Sequence, residues 1–217
     1  MFALGLVLHF LLSLGKHPFV GATEEPPHVI EKNIVDMKMS IDSSLSSEVS
    51  HFIQTILAKN PSQRVPAAFL KQHPFLWSVK KKIEFLKAIG DQPEAVNPSN
   101  CLNSVLEKCL QKTNMGRRFA HSPWAQQGQL QELFIETTTT WKQKKYRIDN
   151  VIDLLRFLRN SYSHKEERSL NFKQQLDDNV FLKTFPSLVI EVYLAVQNAG
   201  MVDDLNRSNI RQALLMS

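Results

Sequence analysis

Apolar residues recur at helical spacing along most of the 217-residue chain. The clearest run follows Ser46 and Ser47, either of which can cap a helix, and Asn60-Pro61 ends it. Its apolar residues stand at i, i+3, i+4, i+7 and i+8: Val49, Phe52, Ile53, Ile56 and Leu57. This spacing predicts an amphipathic helix with one buried face.

The same pattern predicts further helices, separated by polar or proline-containing segments. We expect a short helix over 66–72, a helix carrying Cys101 to Leu110, and helices over 79–89, 146–160, 179–184, 187–198 and 203–216. Gly90 is expected to end the helix over 79–89, and Ser99 to cap the one that follows. Loops are predicted over 20–46, 91–98, 113–128 and after Asn160. The assignment of 130–135 and 137–140 stays open, because β-branched threonines weaken a helix and no partner strand is evident. The predicted fold class is therefore all-α.

The chain opens with the apolar run MFALGLVLHFLLSLG. A secretory signal is one interpretation, but no positive charge precedes the run, His9 interrupts it, and no small-residue cleavage site follows before Lys16. The run is also shorter than the roughly 20 apolar residues that span a bilayer. We therefore expect a buried core helix and no membrane segment.

Composition and charge narrow the function classes. Hydrophobic residues make up 43% and charged residues 22%, which is typical of globular proteins and argues against disordered or fibrous classes. The net charge of +5 favours an anionic partner, although 21 acidic residues are mixed with 26 basic ones, so nucleic acid is only weakly indicated. Cys101 and Cys109 would share a helix face but lie too far apart for an unstrained disulfide, so we expect reduced thiols in a cytosolic or similarly reducing compartment.

Three segments of the first 77 residues resemble the C-terminal lobe of protein kinases. FALGLVLHFLLSLGKHPF is similar to the buried central helix of that lobe, ILAKNPSQRV to the segment whose arginine pairs with an upstream glutamate, and FLKQHPFLW to its closing helix. The resemblance implies a truncated lobe over 1–77, in which Arg64 is solvated or re-paired and His73 is structural. The sequence contains no Gly-rich loop, HRD or DFG segment, so kinase activity is not expected.

Further motifs follow HPFLW: the stretch DLLRFLRN, a histidine five residues after its second arginine, and FLKTFPSLVIEVY. They resemble the kinase-extension nuclease (KEN) domain family, found in ribonuclease L and the inositol-requiring kinase-endoribonuclease. The resemblance implies a helical nuclease domain over 78–200, followed by a C-terminal helix or tail over 201–217. It further implies a metal-independent endoribonuclease that acts as a dimer on single-stranded or loop RNA and leaves a 2′,3′-cyclic phosphate.

Cleaving RNA without a metal requires groups that move protons and groups that stabilise charge at phosphorus. His164 suits proton transfer, because a histidine with its ordinary pKa of about 6.5 holds either form near neutrality. Arg159 and Asn160 can donate to phosphate oxygens, and they stand with Arg156 within one helical turn. By resemblance, His164 is the general acid or base, Arg159 and Asn160 bind the phosphate, and Tyr146 is a second proton-transfer or positioning group.

The tyrosine assignment carries a geometric condition. On one straight helix Tyr146 and Arg159 would lie about 20 Å apart, so Tyr146 must belong to a loop that folds back, or the assignment is wrong. Tyr162, beside His164, is an alternative. Asp153 matches an aspartate of the family and is expected to orient its neighbours. The alternatives for His164 and Arg159 are a solvated histidine and an arginine that interacts with the helix dipole.

No metal or other cofactor is expected, because no Cys or His cluster has metal-ligand spacing. Lys80–Lys82 are interpreted as a solvated helix face and only secondarily as an RNA contact, and the tryptophans at 77, 124 and 141 as packing residues. The predicted partners are RNA and a second copy of the chain, without DNA, and the predicted location is the cytoplasm. The alternative function is a non-catalytic regulator that binds RNA or dimerises with a longer relative.

Overall fold

The computed structural model describes residues 1–21, 25–97, 104–140, 145–204 and 206–215. Within these ranges the chain forms fourteen α-helices, four short 3-10 helices and no β-strand. The predicted all-α fold is thereby confirmed. The chain divides into two compact units, Met1–Leu76 and Trp77–Ser217. The predictions for Ser99, Cys101 and Trp141 fall outside the described residues.

The first unit contains four described α-helices: α1 over Phe2–Leu12, α2 over Pro27–Asp36, α3 over Ser47–Ile56 and α4 over Ala67–Leu70. Two 3-10 helices lie over Pro61–Gln63 and Pro74–Leu76. The predicted helix after Ser46 is confirmed as α3, and Ser46 is its cap, because its hydroxyl oxygen accepts a hydrogen bond from the Val49 amide at 3.3 Å.

Helix α1 forms over the opening apolar run, but most of its large side chains are exposed. Gly5 and His9 are its buried residues. A Cβ at Gly5 would lie 2.7 Å from Cδ2 of Leu57, so α1 packs closely against the end of α3 at this point. Val7 and Leu11 are 54% and 63% exposed. The expectation of a buried core helix is therefore wrong here, because the described residues cover only one side of α1.

No described helix is long and apolar enough to cross a membrane.

The predicted loop over 20–46 contains α2, in which no residue is buried. Pro27 takes the first helical position, where its missing N–H group is not needed, and Met37 ends the helix with a left-handed φ of 54°. Hydrophobic periodicity does not reveal α2, because no face of it is buried.

Arg64 and His73 are held by local hydrogen bonds. Nε of Arg64 donates to the Ala58 carbonyl at 2.9 Å. Of the two predicted alternatives, a solvated arginine and one with a new partner, the structure agrees with the second. Nδ1 of His73 accepts from the Phe75 amide at 3.1 Å, and its Nε2 lies 2.9 Å from Nδ1 of His51. These contacts agree with a structural role for His73.

The second unit contains ten described α-helices: α5 over Val79–Gly90, α6 over Pro93–Val96, α7 over Val105–Gln111, α8 over Asn114–Phe119, α9 over Leu130–Thr140, α10 over Val151–Ser163, α11 over Leu170–Asp177, α12 over Val180–Thr184, α13 over Leu188–Asn198 and α14 over Ser208–Leu215. They enclose one apolar core. Helix α10 is central, because it packs against α5, α6, α7 and α8.

Three predicted loops of this unit contain short helices. Residues 91–98 include α6, residues 113–128 include α8 and a 3-10 helix over Trp124–Gln126, and α11 follows the end of α10. Thr113 caps α8 by accepting from the Gly116 amide at 3.0 Å, and Ser169 caps α11 by accepting from the Phe172 amide at 3.2 Å. These helices have four to eight residues, so hydrophobic periodicity gives only a weak signal over them.

Helix α9 runs through its threonines without a break. The hydroxyls of Thr138, Thr139 and Thr140 donate to the carbonyl oxygens four residues earlier, at 2.8, 2.6 and 2.8 Å. Threonine in a helix can satisfy its hydroxyl in this way. The assignment that the threonines left open is therefore a helix over Leu130–Thr140.

Gly90 has a different role from the predicted one. It is the last residue of α5, and it does not have the left-handed φ of a glycine helix stop. A Cβ at this position would lie 2.5 Å from the Leu155 carbonyl oxygen and 2.9 Å from Cβ of Arg159. The absence of a side chain therefore allows α5 to contact α10 beside Arg159.

The lysines of α5 are only partly solvated. Lys80 is exposed, but Lys81 and Lys82 are half-buried. Nζ of Lys81 lies 5.2 Å from the centre of the Trp77 ring, and burial lowers the pKa of Lys81. The aliphatic stem of a lysine can cover apolar surface while its charge stays near water. The prediction of a fully solvated face is therefore wrong for Lys81, whereas Trp77 packs as expected.

Candidate active site

The C-terminal end of α10 carries three of the four predicted site residues. Asn160 lies in its last turn, Arg159 directly precedes that turn, and His164 is the C-cap. At the other end, Oδ1 of Asn150 caps the helix by accepting from the Ile152 amide at 2.9 Å. Between the ends, one face is fully buried through Leu154, Leu155, Phe157 and Leu158. The buried face and the Asn150 cap together fix the position of α10, and thereby the positions of the site residues at its end.

Arg159 is held by two acceptors. Its Nε donates to Oδ1 of Asp91, the C-cap of α5, at 2.5 Å. Its Nη1 donates to Oδ1 of Asn160 at 2.7 Å. A guanidinium group presents five N–H donors in a fixed plane. These two bonds orient the group, and no other described residue accepts a hydrogen bond from Nη2, so its donors can face an anion.

Asn160 connects Arg159 to Tyr146. Nδ2 of the buried Asn160 donates to the Tyr146 hydroxyl oxygen at 2.8 Å. Because the guanidinium is only a donor, the amide oxygen must face Arg159 and the amide nitrogen must face Tyr146. We call Tyr146, Asn160 and Arg159 the site trio.

Tyr146 reaches the trio from a non-helical segment before α10. The predicted helix start at residue 146 is therefore wrong, since α10 begins at Val151. Tyr146 lies in a loop that folds back towards Arg159, which is the geometry that its assignment to the site required. The chain turns between residues 147 and 150, which returns the tyrosine hydroxyl to the far end of the helix.

The surroundings of Tyr146 keep its hydroxyl protonated. Its ring packs edge-on to Phe157, with ring centres 5.5 Å apart, and Cζ of Arg156 lies 4.7 Å from the ring centre. Burial raises the pKa of Tyr146, against the opposing effects of Asn160 and Arg156. Since the hydroxyl oxygen accepts from Asn160, its hydrogen can be donated to another group.

A buried charge network holds the segment around Tyr146. Nε of Arg147 donates to Oδ2 of Asp153 at 2.7 Å, and its Nη1 donates to Oε1 of Glu107 in α7 at 3.0 Å. Asn150 donates to the same Glu107 oxygen at 2.7 Å. The other Asp153 oxygen lies 2.5 Å from Nη2 of Arg156. Both carboxylates are almost fully buried, so Asp153 orients its neighbours, as expected.

His164 follows the trio by one helical turn. Its backbone amide donates to the Asn160 carbonyl at 3.1 Å. Its imidazole Nδ1 lies 3.0 Å from Oε1 of Glu167, and its side chain is 36% exposed. The imidazole is therefore accessible to a substrate and is not enclosed by packed side chains.

The alternative tyrosine has a structural hydrogen bond. The Tyr162 hydroxyl donates to the Leu176 carbonyl in α11 at 3.1 Å. Burial, with smaller contributions from Asp177 and Glu84, raises the pKa of Tyr162 to about 12. The hydroxyl hydrogen is thus used within the fold, which distinguishes Tyr162 from Tyr146.

Sequence comparison assigns the chain to a protein family. The sequence model described as Ribonuclease 2-5A matches residues 82–208, which is more than half of the chain. The chain belongs to the Ribonuclease 2-5A family. The matched region includes the whole of α10 and all four predicted site residues, so the resemblance to the kinase-extension nuclease domain is confirmed.

Curated relatives extend the similarity to both units of this family member. The chain is 28% identical over 206 residues to the serine/threonine-protein kinase/endoribonuclease IRE1a of Arabidopsis thaliana, covering 90% of the chain and 23% of the relative. It is 29% identical over 202 residues to the probable serine/threonine-protein kinase irlB of Dictyostelium discoideum, covering 92% and 13%. With the ire-1 kinase/endoribonuclease of Caenorhabditis elegans, identity is 24% over 205 residues. The chain spans less than a quarter of the first two.

Several residues of the site had no signal in the sequence. Asp91 holds Arg159 from a position 68 residues away, and Glu107 holds Arg147 from 40 residues away. These contacts depend on how α5 and α7 pack against α10. Local sequence patterns do not predict this packing. Glu167 is different, because its spacing of three residues from His164 is visible in the sequence.

Proposed function

We propose that this chain is an endoribonuclease domain that cleaves single-stranded or loop RNA without a metal ion and leaves a 2′,3′-cyclic phosphate. The 2′-hydroxyl oxygen bonds to phosphorus while the bond from phosphorus to the 5′-oxygen breaks. One proton leaves the 2′-hydroxyl, one reaches the departing 5′-oxygen, and no water is consumed. RNA is the proposed substrate, and DNA is excluded because the reaction needs a 2′-hydroxyl.

The site residues have separate roles in this proposal. His164 transfers a proton as general acid or base, since its imidazole is accessible at the end of α10. Arg159 donates to the non-bridging phosphate oxygens through Nη2, and Asn160 fixes the orientation of both Arg159 and Tyr146. Tyr146, whose raised pKa keeps it protonated, donates its hydrogen to the phosphate or the leaving oxygen.

The observation that carries the proposal is the hydrogen-bonded site trio at the helix end that also carries His164. Asn160 is almost fully buried, yet both atoms of its amide hold groups that can act on a phosphate. The family match and the names of the kinase/endoribonuclease relatives support the same reaction class.

Incubation with a stem-loop RNA in EDTA, at rising protein concentration, tests the proposal. We expect cleavage, with product ends that carry a cyclic phosphate. His164→Ala should lower the rate by about 10²–10⁴-fold, the usual contribution of general acid–base catalysis. His121→Ala is the matched control, because His121 is an exposed histidine of the same unit.

Dimerisation is the second part of the proposal and rests on the family resemblance. If two copies form the active species, the rate per protomer should rise with protein concentration and then saturate. Sedimentation measured over the same concentration range should show dimer at the concentrations where the rate saturates. A rate per protomer that is independent of concentration would contradict this part alone.

A non-catalytic regulator remains the alternative proposal. One observation favours it: two of the Arg159 nitrogens are already bonded to Asp91 and Asn160, which reduces the donors available to a substrate. Stable RNA binding without cleavage, at every protein concentration and without added metal, would support the regulator and overturn the nuclease.

A further inference from the structure

The contact between His164 and Glu167 determines which imidazole nitrogen faces a substrate. Oε1 of Glu167 lies 3.0 Å from Nδ1 of His164. An ionised carboxylate can only accept a hydrogen bond, so Nδ1 must carry the hydrogen. In the neutral imidazole, Nε2 is then the nitrogen that carries no hydrogen. The carboxylate therefore selects one of the two tautomers.

The turn that carries Glu167 is anchored at both ends. The Glu167 amide donates to the His164 carbonyl at 3.2 Å, within a 3-10 helix over Lys165–Glu167. At the far end, the amide and hydroxyl of Ser169 donate to the carboxylate of Glu136 in α9, at 3.1 and 2.7 Å. The Glu167 side chain is 62% exposed, but its backbone is fixed.

Arg168 adds a second anchor to this turn. It is 7% exposed, and its Cζ lies 5.0 Å from the centre of the Phe172 ring in α11. The residue directly after Glu167 is therefore fixed in the core, which limits the movement of Glu167 relative to the end of α10.

Two neighbouring lysines pair with other carboxylates. Nζ of Lys173 lies 2.9 Å from Oε2 of Glu166, and Lys165 pairs with Asp177. Two adjacent glutamates thus have different partners, a lysine for Glu166 and an imidazole for Glu167. Glu166 therefore provides a matched control of the same residue type in the same turn.

We propose that Glu167 is a positioning residue that holds His164 in the Nδ1–H tautomer, so that Nε2 is the nitrogen that exchanges a proton with the RNA. This inference rests on the proposed function, because it assigns the nitrogen that acts in the proposed cleavage. Carboxylate groups that orient a functional histidine in this way are common in enzymes and metal sites.

The tautomer can be measured without any catalytic activity. Nitrogen-15 NMR of the imidazole, in the full chain at a pH where it is neutral, distinguishes a protonated from an unprotonated ring nitrogen. In the native chain we expect Nδ1 to be protonated and Nε2 to be unprotonated. Glu167→Ala should shift His164 towards the Nε2–H tautomer, and Glu166→Ala should leave it unchanged. An unchanged tautomer in Glu167→Ala would overturn the proposal.

Cleavage of a stem-loop RNA in EDTA gives the second measurement. Glu167→Ala should lower the single-turnover rate by about 10-fold, at the lower end of losses seen when a supporting residue is removed. Apparent RNA affinity should not change. Glu167→Gln should restore most of the rate, because its amide oxygen can still accept the Nδ1 hydrogen. Equal loss in the Ala and Gln variants would assign the effect to charge and overturn a positioning role.

Failure of this inference is distinguishable from failure of the proposed function. If the native chain does not cleave RNA, the nuclease proposal fails, and the nitrogen-15 spectra still decide whether Glu167 sets the tautomer. Thermal unfolding provides the folding control, since the loss of an exposed pair should leave the unfolding temperature nearly unchanged.

Discussion

At the scale of single residues, two tyrosine hydroxyls near α10 have different hydrogen-bond partners, and we propose different roles for them. Removing the Tyr146 hydroxyl by Tyr146→Phe leaves the ring packing intact and deletes the bond to Asn160. We expect a loss of about 1 kcal/mol in the free energy of unfolding, together with at least a roughly 10²-fold loss of RNA cleavage. Urea unfolding and single-turnover cleavage measure the two effects.

Tyr162→Phe is the control for this change. Its hydroxyl donates to the Leu176 carbonyl, so the substitution should cost a similar amount of stability. Cleavage should stay close to the native rate, because this hydroxyl hydrogen is used within the fold. If both variants lose cleavage equally, stability rather than chemistry explains the loss, and the role of Tyr146 is refuted.

The raised pKa of Tyr162 predicts that the free energy of unfolding falls at alkaline pH. A group whose pKa is about 12 when folded and about 10 when unfolded stabilises the fold fully below pH 10, and this contribution is lost as the pH rises through 12. The advantage of the native chain over Tyr162→Phe should therefore shrink between pH 10 and 12. Urea unfolding at several pH values measures it, and a constant difference would contradict the assignment.

The sequence could predict only part of the candidate site at this scale. Arg159, Asn160 and His164 are neighbours in the chain, so helical spacing alone places them together. Tyr146 required the family resemblance, since its spacing from Arg159 on a straight helix argues against contact. Asp91 and Glu107 were missed because their contacts depend on how α5 and α7 pack against α10 and its N-terminal turn.

At the scale of elements, the contact between α5 and α10 depends on Gly90. Gly90→Ala would place a Cβ 2.5 Å from the Leu155 carbonyl oxygen and 2.9 Å from Cβ of Arg159. In an open helix, replacing glycine by alanine stabilises by about 1 kcal/mol. Here we expect a destabilisation of about 1–3 kcal/mol from overpacking, and reduced cleavage because Arg159 must move. Thermal unfolding that shows stabilisation would contradict this close approach.

Helices can be predicted from the sequence where they have a long apolar face or a strong capping residue. Helix α3 was found from its spacing and cap, and α13 from its apolar run. Helices α2, α6, α8 and α11 were missed for a common reason: each is short or has little buried surface, so its start is set by a proline or a capping side chain. Such caps are equally typical of turns, and only packing decides between the two.

At the scale of the whole molecule, charge pairing limits how strongly the chain can attract RNA. The net charge is +5, and many cations already have acidic partners, as Arg159 has Asp91 and Arg147 has Glu107 and Asp153. Each phosphate contact on a single strand contributes about −0.7 to the slope of log K against log salt. A site with about three such contacts gives a slope near −2.

Arg159→Gln should make this slope shallower by about 0.7, because one phosphate contact is lost. Arg118→Gln removes the same charge from an exposed arginine whose Nη2 donates to Gln127, so it should leave the slope unchanged. RNA affinity, measured by fluorescence anisotropy over a series of salt concentrations under conditions that prevent cleavage, separates the two variants. Equal changes would mean that overall charge drives binding, and Arg159 would then lose its assigned contact with the phosphate.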